Sequence, residues 1–145
     1  MNYDIAMLGH VSKDVIVDHL GGETRLLGGA VVQSSAAASR SGARVLVVTK
    51  AAAEDIAAVE AMRREGIDIV VGRSAATTSI LNVFRTADHE LRETSLLSRA
   101  EPFAPSDLPA DAEVGIVDLA GLFVGELPDS LIEELRPRGR IAVDA

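Results

Sequence analysis

An aspartate and a pair of glycines have the residue types and the spacing to hold a small ligand that carries several hydroxyl groups. Asp14 follows the apolar segment DIAMLG (residues 4–9), and Gly28 and Gly29 directly precede a run of small residues. A carboxylate accepts hydrogen bonds from hydroxyls. Glycines at the start of a helix let a ligand approach the free backbone N–H groups there. Carboxylate and backbone donors together suit a polyhydroxylated ligand.

The same residues also have a simpler, purely structural interpretation. We favour it over ligand binding when these residues are considered alone. Asp14 is then a solvated loop residue, and the two glycines are a turn and a helix cap. The sequence contains no P-loop, no GxGxxG, no GxSxG and no HExxH motif. Its three histidines lack the spacing of zinc ligands.

The elements that would position these residues alternate between strands and helices. Apolar runs predict strands at 4–9, 13–19, 24–27, 43–49, 67–71, 114–118 and 140–144, and helices at 30–41, 54–66 and 127–139. Two half-polar stretches, 77–85 and 90–98, predict a β-hairpin. The alternation predicts a mostly parallel sheet. Ligands bind such sheets at the carboxyl ends of the strands, where Asp14 and the glycines are expected to lie.

The composition limits which classes of protein and which partners the sequence is compatible with. The 145 residues suffice for one domain, and 48% hydrophobic with only 3% aromatic residues predicts an aliphatic core. A formal net charge of −8 argues against nucleic acid or an anionic membrane as partner. The absence of cysteine excludes disulfides. The sequence has no signal peptide and no apolar run of membrane length, which predicts a cytoplasmic protein.

The last predicted strand ends one residue before Ala145. A parallel strand at that place normally leads into a crossover helix. We therefore expect a truncated product or a fragment, with a complete small α/β domain as the alternative.

Two segments carry a family resemblance. DIAMLGHVSKDVIVD and LLGGAVVQSSAAASRSGARVLVVTK, followed by a hairpin that begins at Thr77, resemble the N-terminal half of ribokinase-like (PfkB) carbohydrate kinases. The resemblance covers the whole chain in order. It implies that residues 1–145 are the N-terminal part of a Rossmann-like α/β domain. That domain has a mostly parallel sheet, helices on both faces, and a small β-sheet lid from about 13–27 and 77–98.

The resemblance also implies a function, an ATP-dependent kinase that phosphorylates a hydroxyl of a sugar, polyol or nucleoside. TTSILNVF, AEPFAPSDLP and AGLFVGELPDSL are similar to inositol-kinase-like members, which implies a cyclic polyol or a related sugar. Gln33 stands where the family usually has asparagine. The residues that the resemblance places in the substrate site are Asp14, Gly28, Gly29, Gln33, Thr78 and Asn82, with His10 and Asp144 as further candidates.

The catalytic signature of the family, Gly-Ala-Gly-Asp, belongs to its C-terminal half and does not occur in this sequence. The resemblance therefore implies ATP and Mg²⁺ for a full-length enzyme, but no general base, no metal site and no bound cofactor in this chain, which alone is expected to be inactive. The alternative is a non-catalytic binding or assembly module. Such a module would pair through its lid or an exposed sheet edge, and a homodimer is the partner that the resemblance allows.

Overall fold

The computed structural model describes residues 2–144, which form nine strands and three α-helices. The strands are β1 (Asn2–Leu8), β2 (Ser12–Val17), β3 (Glu23–Gly28), β4 (Val45–Ala51), β5 (Ile67–Arg73), β6 (Ser79–Phe84), β7 (Arg92–Ser98), β8 (Glu113–Leu119) and β9 (Arg140–Val143). The helices are α1 (Ala30–Arg40), α2 (Ile56–Glu60) and α3 (Ser130–Leu135). Within these residues, no helix combines the length and the apolar character that crossing a membrane requires.

The strands form two sheets. The main sheet has the order β5-β4-β1-β8-β9, and all of its neighbouring strands are parallel. The second sheet, called the lid sheet below, has the order β3-β2-β6-β7. Its central pair β2–β6 is parallel, and its outer pairs are antiparallel hairpins. The predicted α/β class, with a mostly parallel sheet and a small second sheet, is confirmed.

The core lies on both faces of the main sheet. On one face, Val31 of α1 and Val59 of α2 pack with β-strand residues such as Val47. On the other face, Leu131 and Leu135 of α3 belong to the second cluster. Because helices cover both faces of the main sheet, its central strands are continuous runs of apolar residues. Residues 45–49 of β4, for example, are all buried.

Two predicted helices are shorter than expected. The segment 54–66 is helical only over Ile56–Glu60. The chain then turns into β5, with backbone hydrogen bonds joining Arg64 and Ile67 in both directions. The segment 127–139 is an α-helix only over Ser130–Leu135 and continues as a 3₁₀ turn over Arg136–Arg138. Pro137 in that turn lacks the N–H that an α-helix needs.

Strand β2 ends at Val17 rather than at His19. Asp18 stops it, because its Oδ1 accepts hydrogen bonds from the backbone N–H groups of Leu20 and Gly22, both at 2.8 Å. This side-chain turn competes with the sheet for the backbone donors. It closes the hairpin that returns the chain along β3 to the two glycines.

Candidate functional site

Asp14 lies on β2, on the same face of the lid sheet as Ser12 and Gly28. The buried hydroxyl of Ser12 donates to Oδ1 of Asp14 at 2.6 Å. The other carboxylate oxygen, Oδ2, lies so close to Gly28 that a Cβ on that glycine would come within 2.2 Å of it. The side chain of Asp14 is only partly buried. Its carboxylate is therefore fixed in position and still open to a ligand.

The two glycines serve different purposes. Gly28 closes β3 and makes room for the Asp14 carboxylate. Gly29 has φ +107° and ψ 153°, in a region that only glycine adopts freely, and no side chain caps the helix that follows. A Cβ on Gly29 would lie 2.4 Å from the backbone oxygen of His10. Gly28 is the residue next to Asp14, and the free backbone N–H groups at the start of α1 begin at the following residue.

Gln33 lies in the first turn of the 11-residue helix α1, and its side chain is exposed. Between residues 2 and 144 no hydrogen bond holds that side chain. The structure therefore sets the Asp14 carboxylate against Gly28, places Gly29 at the start of α1 and leaves Gln33 exposed in the first turn of that helix.

His10 and Thr78 occupy a different environment, because both are fully buried. Nε2 of His10 lies 3.0 Å from the carbonyl oxygen of Glu101, and Nδ1 lies 2.9 Å from Oγ1 of Thr78. Because a carbonyl only accepts, Nε2 carries the proton and Nδ1 accepts from the threonine hydroxyl. Oγ1 of Thr78 in turn accepts from the backbone N–H of Ala100 at 3.0 Å. Both side chains are buried, and their hydrogen bonds join the β1–β2 connection to the segments before β6 and after β7.

Glu126 completes this buried cluster. Its side chain is fully buried, and its two oxygens accept from the backbone N–H groups of His10 and Leu122, both at 2.7 Å. Oε1 also lies 3.8 Å from Nδ1 of His10. Sequence reasoning missed Glu126, because a single acid in the loop 120–129 forms no pattern with a histidine 116 positions earlier. Buried charges need such partners, so Glu126 fixes the loop after β8 against the β1–β2 connection.

Burial dominates the ionisation of His10. It lowers the pKa of His10 below its ordinary value of 6.5, while the neighbouring Glu126 carboxylate raises it by less. The folded protein therefore holds His10 neutral, in agreement with Nδ1 as a hydrogen-bond acceptor. The unfolded chain takes up the proton more readily than the folded one, and stability falls as the pH falls below about 6.5.

This linkage predicts that the free energy of unfolding, measured with urea, is lower at pH 5.5 than at pH 7.5. The difference is at most about 1.4 kcal/mol per pH unit for a single group. His10→Gln removes the titrating group, so the variant should be less stable overall but should lose less on acidification. His19→Gln, in an exposed turn, should behave like the wild type. Equal losses in the wild type and in His10→Gln would contradict the prediction. The carboxylates with lowered pKa, such as Asp55 and Glu101, lose their contribution only at lower pH.

Asn82 lies on β6, on the face of the lid sheet that carries Asp14. Ile80 is the register partner of Asp14 and Asn82 that of Ile16, so Asn82 stands one row further out. Its Oδ1 accepts a hydrogen bond from Oγ1 of Thr94 on β7 at 2.8 Å. We call this face, with Asp14 and Asn82, the inner face of the lid sheet.

Asp144 lies just after β9, two strands away from β1, and is exposed. Its backbone N–H donates to the carbonyl of Leu119 at 3.1 Å. Burial raises the pKa of the neighbouring Asp118, and the charge of Asp144 raises it further. All strands of the main sheet are parallel, so Asp144 shares the carboxyl edge with the β1–β2 connection but does not contact Asp14. Nowhere in residues 2–144 do three or more acidic or histidine side chains form a group that could hold a metal ion.

The opposite, outer face of the lid sheet has a groove of about 460 Å³. Apolar residues such as Val15, Leu27 and Leu97 line it, with Lys13 and Arg25 among the polar ones. Nζ of Lys13 pairs with Oδ2 of Asp55 at 2.9 Å. Asp14 and Leu26 also line this groove, so it extends to the position of Asp14.

The chain matches no protein-family model and no curated protein, but it matches many solved structures. One is a pyrophosphate-dependent kinase in the ribokinase family, complexed with a pyrophosphate analogue and myo-inositol. It is 37% identical, with a TM-score of 0.84 over 97% of this chain and 48% of its own. Another is a pyrophosphate-dependent myo-inositol-1 kinase converted into a myo-inositol-3 kinase by replacing an asparagine and a serine with leucine. It is 36% identical, with a TM-score of 0.82 over 97% of this chain and 47% of its own.

A more distant match supports the fold alone. Ribokinase from Arabidopsis thaliana, complexed with ribose and ATP, is 16% identical with a TM-score of 0.65, over 100% of this chain and 54% of its own. The chain thus spans about half the length of the solved relatives that it matches. The similarity in both sequence and fold confirms the predicted resemblance to ribokinase-like (PfkB) kinases.

Proposed function

We propose that the chain forms the acceptor-binding and lid part of a kinase that transfers a phosphoryl group to a hydroxyl of a cyclic polyol. The observation that carries the proposal is the Asp14 carboxylate, held by Ser12 and set against the backbone at Gly28. A carboxylate and nearby helix N–H donors can bind two neighbouring hydroxyls at once. Relatives at 36–37% identity that act on myo-inositol or bind it support this choice of acceptor.

In this proposal the chain binds and orients the acceptor rather than performing the proton transfer. Asp14 accepts hydrogen bonds from ring hydroxyls, Gly28 and Gly29 bring backbone against the ring, and Gln33 reaches it from the first turn of α1. The buried contact between His10 and Thr78 holds the lid sheet in place. Transfer of a phosphoryl group depends largely on positioning, so these contacts set the rate without supplying a base. We assign no residue of this chain to proton abstraction.

The choice of phosphoryl donor in this proposal is supported by the comparisons rather than by this chain's residues. The resemblance alone implies ATP with Mg²⁺, and one distant match contains ATP. The relatives at 36–37% identity are instead pyrophosphate-dependent. No phosphate-binding loop or metal-ligand group belongs to the described residues, so we derive no step through the donor. We expect pyrophosphate to be the better donor.

The experiment uses the complete product of the gene that encodes this chain. It is given pyrophosphate or ATP with Mg²⁺, and a panel of myo-inositol, two of its epimers, ribose and adenosine, and products are followed by phosphorus NMR. We expect transfer to a cyclic polyol, faster from pyrophosphate than from ATP. The 145-residue chain alone should give no turnover and no saturable thermal shift with ATP. Transfer to none of these acceptors would overturn the proposal.

The alternative, a non-catalytic module that dimerises, has one observation in its favour. Leu97, at the groove on the outer lid face, is 55% exposed, and the groove has other apolar walls. Exposed apolar surface of this kind favours association. A dimer in sedimentation, combined with no transfer to any acceptor, would favour this module over the kinase.

A further inference from the structure

An ion pair connects the lid sheet to the main sheet directly beside the candidate site. Lys13 precedes Asp14 on β2, so its side chain lies on the opposite face of the lid sheet. Its Nζ lies 2.9 Å from Oδ2 of Asp55. Asp55 belongs to the turn that follows β4, at the carboxyl edge of the main sheet. The pair therefore joins the strand that carries Asp14 to the edge of the other sheet.

A second contact fixes the Asp55 carboxylate in place. The buried hydroxyl of Thr77 donates to the same oxygen, Oδ2, and accepts from the backbone N–H of Ala52 at 2.9 Å. Thr77 lies between β5 and β6, and its carbonyl accepts from the hydroxyl of Ser98 at 2.6 Å. The hydrogen bonds from Thr77 and then Lys13 lower the pKa of Asp55, so the carboxylate is charged at neutral pH. Asp55 consequently holds both β2 and the segment that enters β6.

This pair differs from an ordinary surface ion pair. Such pairs contribute little when two flexible side chains must both be ordered. Here the Asp55 side chain is 17% exposed and already ordered by Thr77, so only Lys13, at 47%, has to be ordered. The pair of Arg25 and Glu23 is more typical of a surface, at 73% and 48% exposed, and joins two residues of the same strand, β3.

We infer that Lys13 and Asp55 are positioning residues for the acceptor, an inference that rests on the proposed function. The acceptor has to contact the Asp14 carboxylate, which the lid sheet carries, and the backbone N–H groups of α1, which packs on the main sheet. The distance between these two contacts depends on the angle between the sheets. Because Lys13 is the chain neighbour of Asp14, its bond to Asp55 limits that angle. The pair acts through Asp14 and does not itself touch the acceptor.

The test measures the kinetics of the complete gene product with myo-inositol, at a saturating concentration of whichever donor the wild type uses faster, pyrophosphate or ATP with Mg²⁺. Asp55→Asn keeps an oxygen that accepts from Thr77 but removes the charge that pairs with Lys13. The lid sheet then adopts other angles for part of the time, which lowers the apparent affinity by the fraction that stays competent. We expect KM for myo-inositol to rise about 3- to 10-fold, as for the loss of one partly buried ion pair. The kcat should stay close to the wild-type value, because saturating acceptor restores the competent angle.

This split between KM and kcat separates positioning from a purely structural role. A mere loss of stability would lower the apparent kcat and leave KM unchanged, because only folded molecules turn over. Lys13→Met should raise KM as Asp55→Asn does, whereas Lys13→Arg, which keeps the charge, should stay close to the wild type. The double variant Lys13→Met/Asp55→Asn should have a KM no higher than the single variants. Since the acceptor is uncharged, added salt should raise KM for the wild type but not for either charge-removing variant.

Glu23→Gln is the matched control, because it breaks an ion pair of the lid sheet that does not reach the main sheet. It should keep the KM and the kcat of the wild type. An unchanged KM in both Asp55→Asn and Lys13→Met, beside an active wild type, would overturn the inference and leave the proposed function intact. If the wild type phosphorylates no acceptor, both are overturned. Should Asp55→Asn fail to fold, Lys13→Met decides, because the Lys13 side chain is half exposed.

Discussion

Asp14→Asn is expected to lower kcat/KM for the polyol acceptor by about 10²- to 10³-fold in the complete gene product. The substitution keeps the size of the side chain, and its amide oxygen can still accept the hydrogen bond from Ser12. What it removes is the charge and one of the two acceptor oxygens. A hydrogen bond to a charged group contributes about 1.5–3 kcal/mol, and each 1.4 kcal/mol is tenfold. Loss of one or two such bonds gives the expected range.

Asp18→Asn is the control for this prediction. Asp18 lies at the other end of β2 and accepts from two backbone N–H groups in the turn, a role that asparagine also performs. Both variants should melt within a few degrees of the wild type. The assignment of Asp14 fails if Asp14→Asn retains full activity, or if Asp18→Asn loses as much.

The fold could be predicted from the sequence in those segments whose apolar residues follow one clear pattern. The parallel sheet followed from buried aliphatic runs such as residues 45–49, and the lid hairpin from its half-polar strands. The helix α1 was predicted to within one residue, but α2 and α3 are shorter than predicted, α3 because of Pro137 and α2 because of long-range contacts. At α2, Asp55 bonds to Thr77 and pairs with Lys13 instead of capping the helix. Those partners lie more than 20 positions away in the sequence, where periodicity carries no information.

In the candidate site, the sequence indicated the two glycines and Asp14. Gly28 and Gly29 stand out because a pair of glycines directly precedes a predicted helix. Asp14 stands out because it follows a predicted strand. The buried cluster of His10, Thr78 and Glu126 was not predictable as a cluster. Whether a histidine faces a ligand or the interior depends on acceptors supplied by other segments, here the carbonyl of Glu101.

The second large effect concerns the free energy of unfolding, and it separates the two glycines. Gly29→Ala is expected to lower this energy by about 3 kcal/mol or more, because glycine-only backbone regions cost other residues about that much. Its φ of +107° lies in such a region. The new Cβ would also lie 2.4 Å from the backbone oxygen of His10, which cannot move without disturbing the β1–β2 connection. For a chain of this size the melting temperature should fall by roughly 6–12 °C.

Gly28→Ala should instead affect the activity more than the stability. Its Cβ would meet Oδ2 of Asp14 at 2.2 Å, which is the far end of a side chain rather than backbone. Asp14 can rotate away only by giving up its hydrogen bond from Ser12. Alanine limits the unfolded chain more than glycine does, which offsets part of that loss, so the melting temperature should fall by less than in Gly29→Ala. The rotated carboxylate no longer faces the acceptor, and kcat/KM should fall roughly 10- to 100-fold.

The two variants therefore test whether the glycine pair serves folding, binding or both. A stable, weakly active Gly28→Ala beside an unstable Gly29→Ala would assign binding to the first glycine and the entry into α1 to the second. Thermal denaturation and acceptor kinetics on both variants provide the comparison. A Gly29→Ala protein that melts like the wild type would contradict the strained backbone at that position. A fully active Gly28→Ala protein would show that the carboxylate of Asp14 does not need the space beside this glycine.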